Sequence, residues 1–412
     1  MSLASMFRLL PRLSRSWRPL DLASTNFVRI NTAQKIEEET IPDYVASRYY
    51  PVRLGEILQD RYQIVGKLGY GTTSTVWLAR DLIGCQHVTL KLFINSKAMG
   101  DQLDNEISMY KRIEAGPKNH VGRSAVRSML DSFNIDGPDG QHRCLVHPPL
   151  WESVLDFLHR NPVRRLPAPV LAFILQRTFQ ALDYLHSECQ IIHTDIKASN
   201  IMFGIGDKSV FTEFEEAEMS NPSPRKEESD GRVIYVSREL GMPKQWGAPI
   251  LCDFGSAVLG NELHVEDVQP NVYRAPEVIL EVPWSYSIDI WNLGCVIWDI
   301  YQGGHLFTGN DPEHNTYRSR AHLAEIIALL GPPPSSLLSQ ANLSHKFFSE
   351  SGQFSAEIPL PERKPLEDRV SGLEGEDKQL FLSLMLKMLQ WEPHKRRPPS
   401  ELAQDQWLQK HL

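Results

Sequence analysis

The stretch His193-Thr-Asp-Ile-Lys-Ala-Ser-Asn200 decides how the rest of this sequence is interpreted. It places a carboxylate at Asp195, a cation at Lys197 and an amide at Asn200. Phosphoryl transfer needs a group that accepts the substrate proton, cations near the phosphates and oxygen ligands for Mg²⁺. We expect Asp195 to accept the proton, Lys197 to lie near the transferred phosphate and Asn200 to bind the metal. An eight-residue stretch that contains all three groups in this order rarely arises by chance.

A second metal ligand is expected at Asp253, in the sequence Asp253-Phe-Gly255 that follows an apolar run. Three residues alone are a weak signal, but this triplet lies after Asn200 and before Ala275-Pro-Glu277, which strengthens it. Glu277 would need a buried cation as partner, and Arg396 is the candidate.

A glycine-rich stretch, Gly69-Tyr-Gly-Thr-Thr-Ser74, lies between two predicted strands. Glycines let the backbone approach phosphate oxygens closely, and the backbone N–H groups then face the anion. Ser74 stands where a third glycine is usual, and the alternative interpretation is an ordinary hairpin turn. The residues expected to contact nucleotide are Leu68, Gly69, Tyr70, Gly71, Thr72, Thr73, Ser74, Thr75 and Val76.

Lys91 follows in the predicted strand Val88-Thr-Leu-Lys91. A lysine that faces inward from a strand is costly to bury without an anion. An ATP phosphate and Glu106 of the next predicted helix could supply that charge. The alternative is a solvated lysine on the strand surface.

The chain from Tyr62 onward consists of short runs rich in β-branched and aromatic residues, separated by turn signals. Apolar spacings of three and four predict a helix over 102–115. We therefore predict a small, β-rich N-lobe over residues 46–150.

Residues 151–412 are predicted to form a larger, mainly helical C-lobe, which makes the fold α+β. Residues 169–187 have an apolar face, and 287–301 are apolar almost all round, as in a buried helix. Residues 204–248 and 331–375 are rich in turn formers and are predicted to be loops, the first as an insertion.

The first 20 residues contain Arg8, Arg12, Arg15 and Arg18 and no acidic residue. This composition is typical of a mitochondrial presequence, and the alternative is a basic disordered tail. We expect residues 1–45 to lie outside the folded domain.

The composition of the chain argues against several classes of partner and site. The 412 residues carry a formal net charge of −8, which argues weakly against nucleic acid as the main partner. The 5 cysteines contain no CxxC pair, which favours a reducing compartment over disulfides or a zinc site. No apolar stretch is long enough to predict a membrane-spanning helix.

Together these motifs resemble the signature of eukaryotic protein kinases over about residues 55–411. The resemblance implies a two-lobed fold, ATP and Mg²⁺ as cofactors, and transfer of a phosphoryl group to serine or threonine of protein substrates. Lys91 and Glu106 would then join Asp195 and Lys197 as catalytic residues.

Finer features resemble the SR-protein kinases of the CMGC group, and their shorter fungal members in particular. The glycine-rich stretch ends Ser74-Thr-Val-Trp-Leu78, and Thr194 stands where most kinases have arginine. A long insertion separates Asn200 from Asp253. The resemblance implies Arg/Ser-rich splicing-type proteins as substrates and constitutive activity. The alternatives are a CMGC kinase with another substrate and a pseudokinase scaffold.

The run Cys144-Leu-Val-His-Pro-Pro-Leu150 resembles the kinase hinge that binds adenine, with His147 as gatekeeper. Its two prolines remove N–H donors, but the contacts expected from the family, Pro148 C=O and Leu150 N–H, survive. We further expect a monomer with no direct nucleic-acid or membrane partner, in the cytoplasm or nucleus unless the N-terminus directs it to mitochondria.

Residues 207–218 of the insertion carry five acidic side chains. Two interpretations stay open at this point: a solvated charged face, or a contact for a basic substrate or partner.

Overall fold

The computed structural model describes residues 16–22, 26–100 and 102–412, which form two units. Unit 1 contains the described residues up to Gly100 together with 129–149 and 208–242. Unit 2 contains 102–128, 150–207 and 243–412. The fold is α+β, as predicted: unit 1 is built on a β-sheet and unit 2 is mainly helical.

The strands are β1 (Ile57–Leu58), β2 (Tyr62–Tyr70), β3 (Ser74–Asp81), β4 (Gln86–Asn95), β5 (Asp131–Gly137), β6 (Gly140–His147), β7 (Ile191–Ile192), β8 (Ile201–Ile205), β9 (Arg225–Glu227), β10 (Val233–Tyr235), β11 (Trp246–Leu251) and β12 (Val258–Leu259).

The α-helices are α1 (Ser96–Met99), α2 (Gln102–Ala115), α3 (Val154–Arg160), α4 (Ala168–Asp183), α5 (Ser209–Ser220), α6 (Pro276–Ile279), α7 (Ser287–Gln302), α8 (Ser319–Leu330), α9 (Ser335–Leu338), α10 (Ser344–Phe347), α11 (Leu366–Arg369), α12 (Gly375–Met388), α13 (Pro399–Leu402) and α14 (Gln406–His411).

Unit 1 is organised by an antiparallel sheet with strand order β1-β2-β3-β4-β6-β5. The runs of β-branched and aromatic residues predicted these strands, because such side chains suit a pleated, packed surface. Lys91 lies centrally in it, paired with Val76 on β3 and Leu145 on β6.

The insertion was predicted to be a loop, and that prediction is wrong for residues 208–242. They form α5, β9 and β10 and belong to unit 1 rather than to the C-lobe. The side chains of Val210, Phe211 and Phe214 are buried within unit 1. Their helical spacing was visible in the sequence, but the acidic residues between them obscured it.

Two acidic residues of the insertion, Glu215 and Glu218, fit neither interpretation. Glu215 lies 3.2 Å from the Arg80 guanidinium on β3, and the Glu218 carboxylate is buried and accepts from Arg238 at 2.7 Å. These two carboxylates therefore hold unit 1 together, whereas Glu213 and Glu216 are exposed.

The expectation that residues 1–45 lie outside the fold is corrected by the part that the structure describes. The Trp17 N–H donates to the Leu82 carbonyl at 2.8 Å, and Leu22 and Ile36 are buried in unit 1. Arg8, Arg12 and Arg15, which suggested a presequence, lie outside the described residues.

Three consecutive glutamates of the 3₁₀ helix Glu37–Thr40 explain much of this order. Lys67 on β2 is 1% exposed and pairs with Glu38 and, at 3.4 Å, with Glu37. Lys226 on β9 lies 2.5 Å from Glu39. Because a buried ammonium is costly without an anion, these pairs hold the insertion and the N-terminal segment, which we define as the described residues before β1, to the sheet.

Unit 2 has α7 at its centre, and this helix is buried almost all round, as its apolar sequence predicted. The predicted helix over 102–115 is α2, but it belongs to unit 2 rather than to the β-rich lobe. The predicted loop over 331–375 contains the short helices α9, α10 and α11. Within the described ranges, no helix has both the length and the apolar character that a membrane crossing requires.

A substitution in α5 tests whether the insertion is part of the folded unit. A Cβ atom on Gly66 of β2 would come within 2.6 Å of the Phe214 ring, so this ring covers the strand closely. We expect Phe214→Ala to lower the free energy of unfolding by about 3 kcal/mol, measured by urea denaturation, because it leaves a cavity.

Met219→Ala is the matched control, because Met219 lies on the same helix and is 39% exposed. We expect it to change the free energy of unfolding by about 0.5 kcal/mol or less. Equal stability of both variants and the natural chain would contradict the observed packing of α5.

Candidate active site

The predicted catalytic residues of unit 2 lie together in the loop between β7 and β8. The Lys197 ammonium is 2.7 Å from Asp195 Oδ2, and Asn200 Nδ2 donates to that same oxygen at 3.1 Å and to the Asp195 carbonyl at 2.9 Å. The cation and the amide fix the direction of the Asp195 carboxylate, which is the group predicted to accept a proton.

The backbone of this loop is anchored by a residue that sequence reasoning missed. Asp289 on α7 is fully buried, and its carboxylate accepts the N–H of His193 at 2.8 Å and the N–H of Thr194 at 2.9 Å. Asn292, one turn later, accepts the Ile196 N–H at 3.0 Å and donates to the Ile196 carbonyl at 2.7 Å. The signal in the sequence that could have identified these two residues is their polar character within an otherwise apolar helix.

The second metal-ligand candidate is positioned by Phe254. This ring is buried, with its centroid 5.3 Å from that of Tyr110 on α2 and 5.2 Å from that of His193. Asp253 has φ 67° and Thr194 has φ 65°, and both values are rare for residues other than glycine. Such backbone strain persists where surrounding contacts enforce it, as they do at functional sites.

The predicted ion pair between Glu277 and Arg396 is confirmed. Both side chains are fully buried, and Arg396 Nη2 donates to Glu277 Oε2 at 2.7 Å. The guanidinium also donates to the carbonyls of Ser287 and Gln390 at 3.0 Å. This pair ties the end of the activation segment, which we define as residues 253–277, to the C-terminal part of unit 2.

In unit 1 the glycine-rich stretch forms the turn between β2 and β3, as the sequence predicted. The Gly71 N–H donates to the Ser74 carbonyl at 2.8 Å. Apart from Gly69 and its two chain neighbours, no described residue has a heavy atom within 4 Å of the position that a Cβ on Gly69 would take. Protein packing therefore does not require this glycine, whereas close approach of a phosphate would.

Lys91 is partly buried in unit 1, with its ammonium 4.8 Å from the centroid of Phe93. Glu106 is 2% exposed on α2 in unit 2. The two residues belong to different units, and the ion pair between them stays a prediction.

The predicted hinge begins within β6, whose last residue is His147, and continues beyond the strand. His147, the proposed gatekeeper, is 1% exposed and pairs with Thr89 on β4, whereas Pro148 is partly buried and Leu150 is 6% exposed. The adenine contacts proposed for Pro148 C=O and Leu150 N–H stay predictions.

The donor set of unit 2 fits a magnesium ion. Because Asn200 Nδ2 is engaged by Asp195, the amide oxygen is the atom that this residue offers to a metal. Asp253 is exposed and adds a carboxylate. Amide and carboxylate oxygens are the protein ligands that Mg²⁺ prefers, and it takes few of them.

Comparison of the sequence with known proteins points to the same kind of site. The family model of the protein kinase domain matches residues 62–408. The chain is 41% identical to a serine/threonine protein kinase of Aspergillus fumigatus, over 96% of this chain and 98% of that protein. It is 30% identical to the serine/threonine-protein kinase SRPK of Physarum polycephalum, over 87% and 88%. It is 27% identical to protein kinase dsk1 of Schizosaccharomyces pombe, over 91% and 85%.

This chain therefore belongs to the protein kinase family, and it is a serine/threonine kinase. More narrowly, its relatives are kinases of the SR-protein-kinase, Dsk1 and CLK type within the CMGC group, as the resemblance in the sequence implied. Protein kinases of this family use ATP and Mg²⁺.

Replacement of the predicted proton acceptor tests the site. Asp195→Asn keeps the shape and can still meet Lys197 and Asn200, but it cannot take a proton. We expect kcat to fall by about 10²–10⁴-fold, with the affinity for ATP nearly unchanged. Steady-state kinetics and equilibrium binding of a fluorescent ATP analogue measure the two quantities. Near-normal turnover would show that Asp195 is not the base.

Proposed function

We propose that this kinase phosphorylates serines in Arg/Ser-rich proteins. The observation that carries the proposal is the charge of the activation segment. Glu262, Glu266 and Asp267 are exposed there, and the Glu266 and Asp267 side chains are 68% and 71% exposed. Hydrogen bonds from backbone N–H groups lower the pKa of Glu266, so it is ionised at neutral pH. The SRPK relative supports the same substrate class.

In this proposal, residues of unit 1 bind the phosphates of ATP, and residues of unit 2 accept the proton of the substrate hydroxyl. Backbone N–H groups of residues 69–74 and the Lys91 ammonium attract the phosphate oxygens. Asp195 orients the substrate hydroxyl and accepts its proton, and Lys197 neutralises charge on the transferred group. Bound Mg²⁺, held by Asn200 and Asp253, would add positive charge at the phosphates.

We also infer that the activation segment is ordered without phosphorylation. An arginine beside the catalytic aspartate commonly reads an activating phosphate, but here that position is Thr194, whose Oγ1 donates to the Ser256 carbonyl at 2.8 Å. The segment contains two hydroxyl side chains, Ser256 and Tyr273, and the Tyr273 hydroxyl donates to Asp299 at 2.7 Å.

Contacts that involve no phosphate hold the segment instead, and one of them is the ion pair between Arg274 and Asp267 at 3.0 Å. His264 stacks on Trp284 with 4.7 Å between ring centroids, and the Trp284 N–H donates to the His264 carbonyl at 2.8 Å. The indole of Trp284 donates to the Glu266 carbonyl at 3.0 Å. The Gln269 amide donates to the Ile288 carbonyl and accepts the Ala275 N–H. None of these contacts needs a phosphate, which supports constitutive activity.

For cellular location we propose the cytoplasm or nucleus, with mitochondria as the alternative. The packing of residues from Trp17 onward limits that alternative. The Trp17 ring lies 4.6 Å from the Arg80 guanidinium, and Arg80 donates to the Arg18 carbonyl. A cleaved targeting signal compatible with these contacts would end before residue 17.

The substrate proposal is tested by comparing an Arg/Ser peptide with a Ser-Pro peptide that lacks arginine. We expect the natural enzyme to prefer the Arg/Ser peptide. Glu262→Gln/Glu266→Gln should raise the KM of that peptide about three- to tenfold at low salt, and less at high salt, because exposed charges are screened.

Glu350→Gln/Glu362→Gln is the charge-matched control, because both glutamates are exposed in unit 2 outside the activation segment. This control variant should leave the KM of both peptides unchanged. Preference of the natural enzyme for the Ser-Pro peptide would instead favour a CMGC kinase with a proline-directed substrate.

Constitutive activity is tested on enzyme produced in bacteria. Because the contacts that order the activation segment involve no phosphate, treatment with a phosphatase should leave kcat and KM unchanged. Mass spectrometry checks that the treated enzyme carries no phosphate. Loss of activity that an upstream kinase restores would contradict this inference.

A further inference from the structure

One tyrosine of the N-terminal segment reaches the glycine-rich turn within unit 1. The Tyr49 hydroxyl lies 3.3 Å from the carbonyl oxygen of Gly71 and 3.1 Å from that of Thr72, so its single proton is shared between them. The side chain is 7% exposed, and burial raises the pKa of Tyr49. The phenol therefore stays protonated and serves as a donor at neutral pH.

Holding these carbonyls also fixes the N–H groups that share their peptide planes. In a planar trans peptide the C=O and the following N–H point in opposite directions. The carbonyls of Gly71 and Thr72 face Tyr49, so the N–H groups of Thr72 and Thr73 point the other way. Neither of these N–H groups has an acceptor within the part of the chain that the structure describes.

The remaining carbonyls of the turn are also engaged. The Ser74 carbonyl accepts the Gly71 N–H at 2.8 Å, and the Thr73 carbonyl accepts the Ile94 N–H at 2.9 Å. Tyr49 thus completes a set of contacts in which each carbonyl from Gly71 to Ser74 has a donor. The N–H groups of Thr72 and Thr73 are left as the donors available to an anion.

Tyr49 is itself held by the insertion. Arg232 Nη1, next to β10, donates to the carbonyls of Ala46 at 2.8 Å and of Tyr49 at 3.0 Å. The same guanidinium pairs with Asp139 in the turn between β5 and β6. On the other side, Asn95 Nδ2 at the end of β4 donates to the Ser47 carbonyl at 3.3 Å.

We propose that Tyr49 is a positioning residue that preorganises the glycine-rich turn for the phosphates of ATP, and that Arg232 of the insertion holds Tyr49 in place. The inference rests on the proposed function only in assigning ATP phosphate to this turn. Preorganised donors bind an anion more tightly, because the cost of ordering the turn is met during folding rather than on binding.

Tyr49→Phe tests the proposal, because it removes the hydroxyl and keeps the ring. We expect faster amide hydrogen exchange over residues 69–75 in the enzyme without nucleotide. The Kd for a fluorescent ATP analogue and the KM for ATP should each rise about two- to tenfold, the range expected for one lost hydrogen bond, with kcat little changed.

Tyr50→Phe is the matched control. Tyr50 is the next residue, and its hydroxyl donates to Glu56 at 2.7 Å, away from the turn. This variant should leave exchange over residues 69–75 and the Kd unchanged. Arg232→Met should reproduce the effect of Tyr49→Phe, and the double variant should show less than the sum of the two effects, because both act through one tether.

Unchanged exchange and unchanged Kd in Tyr49→Phe would overturn the proposal. It would also be overturned if Tyr49→Phe and Tyr50→Phe raised the Kd equally, because Tyr49 would then act only through general stability. If the natural enzyme bound no ATP analogue, the proposed function would fail, whereas the exchange comparison would still show whether Tyr49 orders the turn.

Discussion

The buried carboxylate of Asp289 is the interaction on which the catalytic loop depends. It accepts the N–H groups of His193 and Thr194, and it lies 2.9 Å from the His186 imidazole. A carboxylate without exposure to water is stable only when hydrogen bonds compensate its lost hydration. The Asp289 carboxylate fixes the backbone conformation of the loop, and the N–H groups of the loop stabilise the negative charge of the carboxylate. Asp195 is fixed in direction as a result.

A comparable constraint operates in unit 1, where two lysines are buried. Lys67 and Lys226 are each 2% exposed or less, and consecutive glutamates of the N-terminal segment compensate their charge. Ion pairs of this kind contribute little net stability, but removing one partner is costly. They explain why the N-terminal segment and the insertion fold with the sheet, and why Tyr49 can reach the glycine-rich turn.

The sequence predicted well where function restricts residue choice or where apolar spacing is regular. Asp195, Lys197 and Asn200 were identified from one short stretch, and the side chains of Lys197 and Asn200 both lie within hydrogen-bonding distance of Asp195. The ion pair of Glu277 and Arg396 followed from the need of a buried carboxylate for a cation. The helix of the insertion was missed, because four acidic residues stand among its five apolar ones and the segment looked like a solvated loop.

What the sequence by itself determined is the chemistry of the site and the periodicity of the main helices and strands, since both are written in local residue order. Only the tertiary structure decided which distant groups meet. Asp289 lies 96 positions from His193, and Lys67 lies 29 positions from Glu38. The Arg232 guanidinium meets the Tyr49 carbonyl across 183 positions. Such pairs depend on chain topology and on the requirement that every buried charge find a partner, and neither is encoded in a local pattern.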